Sequence, residues 1–207
     1  MSFSIIIPAY NEEKSIAIVL QQIVENIRDA EIIVVDDCST DNTVEIIKQF
    51  ERIKLIKHTT NMGPTAALMT GFQVANFDIV VSLDADGQHP VAAIPKLVEP
   101  IVRNEAEFVL GVRSTLPRLG EKIIALGAGV SDATTGFKAL RKQCIPFMEG
   151  DIAYGGMLVT RVKNSNLRVK EISIDVRERI DGVSFHSNFH IFKIALKYFI
   201  WSLFIRI

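Results

Sequence analysis

Ile79-Val80-Val81-Ser82-Leu83-Asp84-Ala85-Asp86-Gly87-Gln88 decides the fold of this chain and most of its chemistry. The residues before Asp84 are almost all apolar, as in a strand buried on both faces. The run then ends in two carboxylates, two residues apart. Such a pair at the mouth of a strand suits a hard divalent cation, which takes oxygen ligands and is commonly shared with substrate phosphates. Asp84 and Asp86, with Gln88 beside them, are therefore the candidate metal ligands, and Mg²⁺ or Mn²⁺ the candidate ion. A phosphate-bearing substrate with a diphosphate leaving group follows. A bare D-x-D pair is common, and Asp86 or Gln88 could instead cap the turn before Pro90. The upstream sequence argues for the chemical role.

Working back from Asp84, the same grammar recurs. Ser4-Ile5-Ile6-Ile7 is a short apolar run stopped by Pro8, and Ile32-Ile33-Val34-Val35 is another, ending in Asp36-Asp37. A third short strand is expected around Ile53 to Ile56. Between them, Ile16, Val19, Leu20, Ile23 and Ile27 recur at three- and four-residue steps, the stripe of an amphipathic helix. Asn11 is its expected N-cap, with Glu12 and Glu13 where the helix dipole favours anions. Ser39, Thr40 and Asp41 supply cap chemistry for a second helix through Ile47, and Pro64 to Ala75 reads as a third. This alternation predicts an open, mostly parallel sheet with helices on both faces. Ligands of such sheets collect outside the carboxyl ends of the strands. Pro8-Ala9-Tyr10, Asp36-Asp37 and Asp84-Ala85-Asp86 all fall there.

The second half is less regular. Phe108 to Val112 reads as a strand ending near Arg113, and Ser114 to Val130 as a loop with a short helix. Ile172, Ile174 and Val176 share one strand face, opposite Ser173, Asp175, Arg177 and Arg179. From Phe189 to Ile207 the chain is mostly apolar and aromatic, with Lys193, Lys197 and Arg206 as its formal charges. Its longest uncharged stretch there, 198–205, is far short of the ~20 residues a spanning helix needs. We expect an amphipathic helix at a membrane interface, with Tyr198 and Trp201 as anchors; the alternative is a helix packed on its own domain or on a second copy. The expected division is a catalytic domain over 1–187 and this helix over 188–207.

The 207 residues suit one domain, and 48% hydrophobic residues allow a sizeable core. A net charge of −1 gives no electrostatic case for nucleic acid. Cys38 and Cys144 form neither a disulfide framework nor a metal spacing. No cationic and apolar leader precedes the first strand, so no secretory signal is expected.

Taken in order, Ile5-Ile6-Ile7-Pro8-Ala9-Tyr10-Asn11-Glu12-Glu13, Val34-Val35-Asp36-Asp37-Cys38-Ser39-Thr40-Asp41, Asn61-Met62-Gly63 and Asp84-Ala85-Asp86-Gly87-Gln88 resemble the inverting glycosyltransferases of GT-A fold, a Rossmann-like nucleotide-binding architecture. Within them the chain is most similar to the polyprenyl-phosphate hexose synthases, the dolichol-phosphate mannose synthase type. Asp132-Ala133-Thr134-Thr135-Gly136-Phe137-Lys138 and Arg179-Ile180-Asp181-Gly182-Val183-Ser184 agree with it. The resemblance implies that Pro8, Tyr10, Glu12 and Asp37 hold the nucleoside. It implies that Asp84, Ala85, Asp86 and Gln88 touch the diphosphate and its metal, and that Arg113 and Arg179 face phosphates of donor or acceptor. Arg118 and Arg141 are further candidates, while His89 and His186 read as polar loop residues. Three departures fall on the acceptor side. Phe185 follows Ser184 where a Lys is common, no acidic residue occurs around Tyr154-Gly155-Gly156-Met157, and the segment from Arg113 to Asp132 is short. Members of the group often continue into transmembrane helices; no such stretch occurs in these residues.

The implied reaction is a single inverting displacement at the anomeric carbon of a nucleotide-sugar. The implied partners are that donor (GDP-mannose and UDP-glucose are both compatible), a polyprenyl-phosphate acceptor and the membrane surface, with homo-oligomerisation left open. The implied location is peripheral, on the cytoplasmic face. Asp86, Asp132 and Arg113 are the catalytic candidates. Asp132 is the base if the acceptor is a hydroxyl. A phosphomonoester, with a second pKa of about 6, is already largely dianionic near neutral pH and needs only arginines to position it. A Rossmann dehydrogenase is excluded because no G-x-G-x-x-G follows the first strand, and a P-loop enzyme because no G-x-x-x-x-G-K-[ST] occurs. In a receiver-like signalling module the acidic pair would follow the first strand rather than the second.

Overall fold

The computed structural model describes residues 2–116, 118–148, 155–177, 180 and 188–205, with side chains described over 191–201 of the last segment. Seven strands among them form one sheet: β1 Phe3–Ala9, β2 Ala30–Asp36, β3 Ile53–Lys57, β4 Ile79–Ser82, β5 Phe108–Arg113, β6 Lys138–Arg141 and β7 Val169–Ile174. Their order is β3-β2-β1-β4-β6-β5-β7. All run parallel except β6, which lies antiparallel between β4 and β5. The expected mostly parallel sheet is present.

The helices are α1 Ile16–Asn26, α2 Thr43–Ile47, α3 Pro64–Val74, α4 Ile94–Val102, α5 Leu119–Ala128, α6 Gly156–Asn164 and α7 Asn188–Ile205. They cover both faces because the strands are apolar on both. Ile5, Ile7, Ile32 and Val34 pack with α1, α2 and α4, while Ile6, Ile33 and Val35 pack with α3. Phe72, Phe108 and Phe137 are fully buried; each such ring contributes about 1.5–3 kcal/mol. Gly71 lets α3 approach β1, since a Cβ there would stand 2.2 Å from Ile6 Cγ2.

Several local expectations are corrected. β1 runs through Pro8 to Ala9. α1 begins at Ile16, so Asn11 is not its N-cap. Asn11 is left-handed (φ 53°) and its Oδ1 accepts from Thr40 N at 2.8 Å. Glu13 likewise accepts from Asn42 N, and Glu12 N donates to Thr43 Oγ1 at 2.8 Å. These short polar groups stitch the loop after β1 to the loop after β2 instead of capping a helix. Asp41 precedes Asn42, the N-cap of α2, and accepts from Thr43 N at 3.0 Å. β6, α4 and α6 are not among the elements expected from sequence. β6 is only four residues long, too short to show a period.

The segment after β5 is more helical than expected, with α5 occupying ten residues. α7 lies against α5 and α6. Ile191, Ala195 and Tyr198 are buried, whereas Phe192, Leu196, Phe199 and Ile200 are about half exposed. Gly120, Gly127 and Gly156 make the close approach possible; a Cβ at Gly127 would meet the Tyr198 ring at 2.4 Å. The expectation that Tyr198 anchors to headgroups is therefore overturned. Its hydroxyl lies 3.1 Å from Thr160 Oγ1 inside the protein. Trp201 sits beside it with the Arg161 guanidinium 5.9 Å from its ring centroid. Among the described residues, no helix is long and apolar enough to cross a membrane.

Candidate active site

A cavity of about 620 Å³ opens at the carboxyl ends of β1, β2 and β4. These strand ends deliver Pro8 and Tyr10, Asp37, and Asp84 to Gln88 to its wall, and β5 delivers Arg113. The convergence follows from parallel topology, in which successive strands end on the same edge of the sheet. Of the site residues expected from sequence, Pro8, Tyr10, Glu12, Asp37, Asp84, Ala85, Asp86, Gln88 and Arg113 all line this cavity, as does Arg118. Arg179 and His186 lie outside the described residues. Arg141 is not brought to the site. β6 runs antiparallel, so its last residue reaches the opposite edge of the sheet, where Arg141 bonds Asp78 at 2.7 Å and Asn104 at 2.6 Å.

Asp37 is 2% exposed and heavily bonded. Its Oδ1 accepts from Met62 N at 2.9 Å and meets His58 Nδ1 at 2.7 Å, and its Oδ2 accepts from Gly63 N at 2.7 Å. His58 Nε2 in turn meets Thr70 Oγ1 at 2.9 Å. His58 is invisible to sequence reasoning because it lies one residue beyond β3, in a stretch without motif. Only the register of β3 against β2 carries it beside Asp37. Gly63, at φ 88°, turns the chain so that two successive amides face one carboxylate.

The Asp84–Asp86 turn brings both carboxylates to the cavity wall. Asp86 is buried, and its Oδ1 accepts from Gln88 N at 3.0 Å. Gly87 takes φ 75° and packs under Ile180. Asp84 lies against Gly136, where a Cβ would stand 2.1 Å from its Oδ2. His89 is buried, stacks on Phe137 at 5.3 Å and places Nε2 3.2 Å from Asp84 Oδ2. It is the loop residue expected, but a buried one that neighbours the carboxylate. The Gln88 side-chain amide donates to Arg177 O at 3.5 Å. Among the described residues, no group of three His, Cys, Asp or Glu side chains could hold a metal by itself. Two carboxylates, with the remaining positions filled by phosphate oxygens and water, nevertheless fit the Mg²⁺ or Mn²⁺ donor set.

The opposite wall is an ion-pair cluster. Arg113 clasps Asp132 through two bonds, Nε to Oδ2 at 2.6 Å and Nη2 to Oδ1 at 3.1 Å, and also donates to Thr134 Oγ1 at 2.9 Å. Glu121, buried in α5, stands 3.8 Å from Arg113 and 3.4 Å from Arg118. Burial opposes ionisation of Asp132, but the Arg113 hydrogen bonds and charge outweigh it and hold its carboxyl below the ordinary range. Burial likewise opposes the Arg113 charge, yet Asp132, then Glu121 and Asp84, raise its pKa. Lys138, fully enclosed on β6, is pushed down to about 8 by burial, against the pull of Asp84 and Asp132. Its ammonium donates to the Thr135 carbonyl. Asp132 is fully buried behind Arg113, with both oxygens engaged.

The sequence from residue 4 to 117, which supplies the strand ends bearing Tyr10, Asp37 and Asp86, matches the model of glycosyl transferase family 2. The chain belongs to that family. This family 2 chain is 34% identical over 176 residues to a UDP-N-acetylglucosamine–dolichyl-phosphate N-acetylglucosaminyltransferase of Methanococcus voltae, covering 68% of this chain and 70% of that protein. It is 31% identical to a dolichol-phosphate mannosyltransferase of Pyrococcus furiosus, over 89% of this chain and 59% of that protein. It is 29% identical to an undecaprenyl-phosphate 4-deoxy-4-formamido-L-arabinose transferase of Aeromonas hydrophila, over 91% of this chain and 64% of that protein. The chain thus spans less than two thirds of the last two relatives. Its fold is similar to that of a glucosyl-3-phosphoglycerate synthase of Mycobacterium tuberculosis, crystallised with Mn²⁺, UDP and glucosyl-3-phosphoglycerate. The TM-score is 0.76 at 19% identity, covering 97% of this chain and 79% of that one. The family 2 chain has the GT-A fold.

Proposed function

We propose that this protein transfers a sugar from a nucleoside-diphosphate sugar to a polyprenyl phosphate, with inversion and with Mg²⁺ or Mn²⁺ as cofactor. One observation carries the reading: a single cavity is walled on one side by Asp37, Asp84 and Asp86 and on the other by Arg113 and Arg118. Acids that can share a cation with a diphosphate face cations that suit a phosphate acceptor. The relatives named above, whose names specify polyprenyl-phosphate acceptors, support it.

In this reading Pro8, Tyr10, Glu12 and Asp37 hold the nucleoside. Asp84 and Asp86 hold the cation, with Ala85 and Gln88 beside the diphosphate. A bound divalent cation supplies Lewis-acid neutralisation of the departing diphosphate. Arg113 and Arg118 orient the acceptor phosphate, whose second charge is already present near neutral pH and needs no base. Asp132 keeps Arg113 aimed and charged. Its buried, doubly engaged carboxylate counts against a role as base, and so against the alternative of a hydroxyl acceptor. Arg179 is assigned a phosphate contact by family resemblance alone.

We place the membrane on the side of α5 and α7. Leu119 and Leu126 of α5 and Phe192, Leu196, Phe199 and Ile200 of α7 are exposed there, and Ile191 and Ile194 of α7 line the cavity itself. A lipid phosphate could reach Arg113 without leaving that side. Residues 1–187 act in this scheme as the catalytic domain and 188–207 as its lipid-facing helix, on the cytoplasmic face where nucleotide-sugars are found. The test is incubation with membranes and labelled nucleotide-sugars. Label in the lipid extract is expected; label only in water-soluble product would refute the lipid acceptor.

A further inference from the structure

The acceptor wall already holds an anion of its own. We infer that Glu121 occupies the acceptor-phosphate seat in the empty enzyme and must give up its arginines before a phosphate can bind; the inference rests on the reading of Arg113 and Arg118 as acceptor-side groups.

An arginine offers five N–H donors. On Arg113, Nε donates to Asp132 Oδ2, and Nη2 donates to Asp132 Oδ1 and to Thr134 Oγ1. Those three bonds leave the two donors of Nη1 for a ligand. Nη1 stands 3.8 Å from Glu121 Oε1, and the same oxygen lies 3.4 Å from Arg118 Nη1. Glu121 and both arginines line the cavity. Glu121 is also the third residue of α5, within the first turn, where the helix dipole favours an anion. Two guanidinium groups and a helix N-terminus thus converge on one carboxylate, and that carboxylate belongs to the chain itself.

The hold on it is loose. Glu121 Oε2 accepts from Arg118 N at 3.3 Å, and the contacts of Oε1 are 3.4 and 3.8 Å. Charge-assisted bonds are ordinarily about 2.7–2.9 Å. Asp132, by contrast, meets Arg113 Nε at 2.6 Å and is tied to Thr134 N at 3.0 Å. Asp132 is therefore the fixed partner of Arg113, and Glu121 the exchangeable one.

With Glu121 in place, the two arginines and two carboxylates of this wall carry no net charge. A phosphate arriving at Nη1 meets a buried carboxylate at short range, and the repulsion between like charges opposes it. A bare phosphate has only its own charge to set against that. A lipid phosphate adds burial of its chain against Ile191 and Ile194, which line the same cavity. Glu121 keeps free phosphate off the wall and reserves it for a phosphate with an apolar tail.

The test titrates the full chain with inorganic phosphate by calorimetry near neutral pH, without divalent cation. Wild type is expected to bind it no more tightly than about 1 mM. Glu121→Gln keeps the shape and an oxygen for Arg118 N, and should bind phosphate at least about tenfold more tightly. Glu121→Ala should show the same gain, and Glu121→Gln combined with Arg118→Gln should lose it. In lipid labelling, Glu121→Gln should lower the KM for polyprenyl phosphate more than it changes kcat. Phosphate binding by Glu121→Gln no tighter than by wild type would overturn the inference, as would a gain that survives Arg118→Gln. Loss of folding in both single variants would overturn it too, because a carboxylate on which the fold depends is not an exchangeable one. Absence of lipid labelling by wild type would remove the transferase reading, while the phosphate titration would still decide the role of Glu121.

Discussion

The two walls of the cavity hold charge in opposite ways. The donor wall, from β1 through β4, fixes its acids with main-chain amides: Met62 and Gly63 on Asp37, Gln88 on Asp86. The acceptor wall, from β5 to α7, fixes its cations with other side chains: Asp132 and Glu121 on Arg113 and Arg118. A main-chain amide stays in place when a neighbouring side chain is replaced, whereas a side-chain clasp is lost with either partner. The donor wall is therefore held by turns that survive substitution, and the acceptor wall is a network that stands or falls as a unit.

The largest effect that would break the comparison belongs to the donor wall. Asp86→Ala should lower sugar transfer on the order of a thousand-fold, the loss of several kcal/mol of charge stabilisation. Its melting temperature should stay near wild type, since the turn keeps its amides. A radiolabelled transfer assay beside a thermal melt would decide, and near-normal turnover would remove the cation from the scheme.

On the acceptor wall the dominant cost should be to stability instead. Asp132→Ala deprives a largely buried guanidinium of its principal partner, at a cost of about 3 kcal/mol, measurable by urea unfolding. The same pair predicts a pH dependence. Because the folded-state pKa of Asp132 lies below its ordinary 3.8, the clasp's contribution is complete above that value. It is lost as pH falls through the depressed folded value. Relative to wild type, Asp132→Asn should therefore show a smaller stability loss on acidification below about pH 4. Identical acid profiles would remove the clasp from the account of stability.

Gly136→Ala probes the place where the walls meet, because the loop leading into β6 sets Gly136 against Asp84. The added methyl must push the carboxylate aside, and donor affinity with Mn²⁺ should fall about tenfold or more. Unchanged affinity in a titration with UDP would show that Asp84 is not needed in its present position. The smallest expected effect on the fold is that of Leu126→Glu, at a residue 84% exposed. Stability should shift by no more than about 0.5 kcal/mol, while binding to anionic phospholipid vesicles in a flotation assay should drop. Unaltered flotation would free the α5–α7 face from the membrane.

The strands with unbroken apolar runs were legible in the sequence because burial on both faces leaves one composition whatever the neighbours. That Asp37, Asp84 and Asp86 would gather at one edge of the sheet was legible because each closely follows such a run. The burial of His89 in its loop was not legible because it depends on Phe137, almost fifty residues away. Tyr198 was misjudged because α7 is apolar on two sides, and composition alone does not say which side meets the protein. Arg141 was misplaced because the reversal of β6 leaves no mark on four residues.

By itself the sequence determined the α/β alternation, the sheet edge that bears the site and the acids that end its strands, since period and strand-end position are local properties. Tertiary structure alone decided the antiparallel insertion of β6, the Arg113–Asp132 clasp and the pairing of His58 with Asp37. Each of those joins segments whose contact is set by register and packing, and such contacts are not encoded in any one stretch of chain.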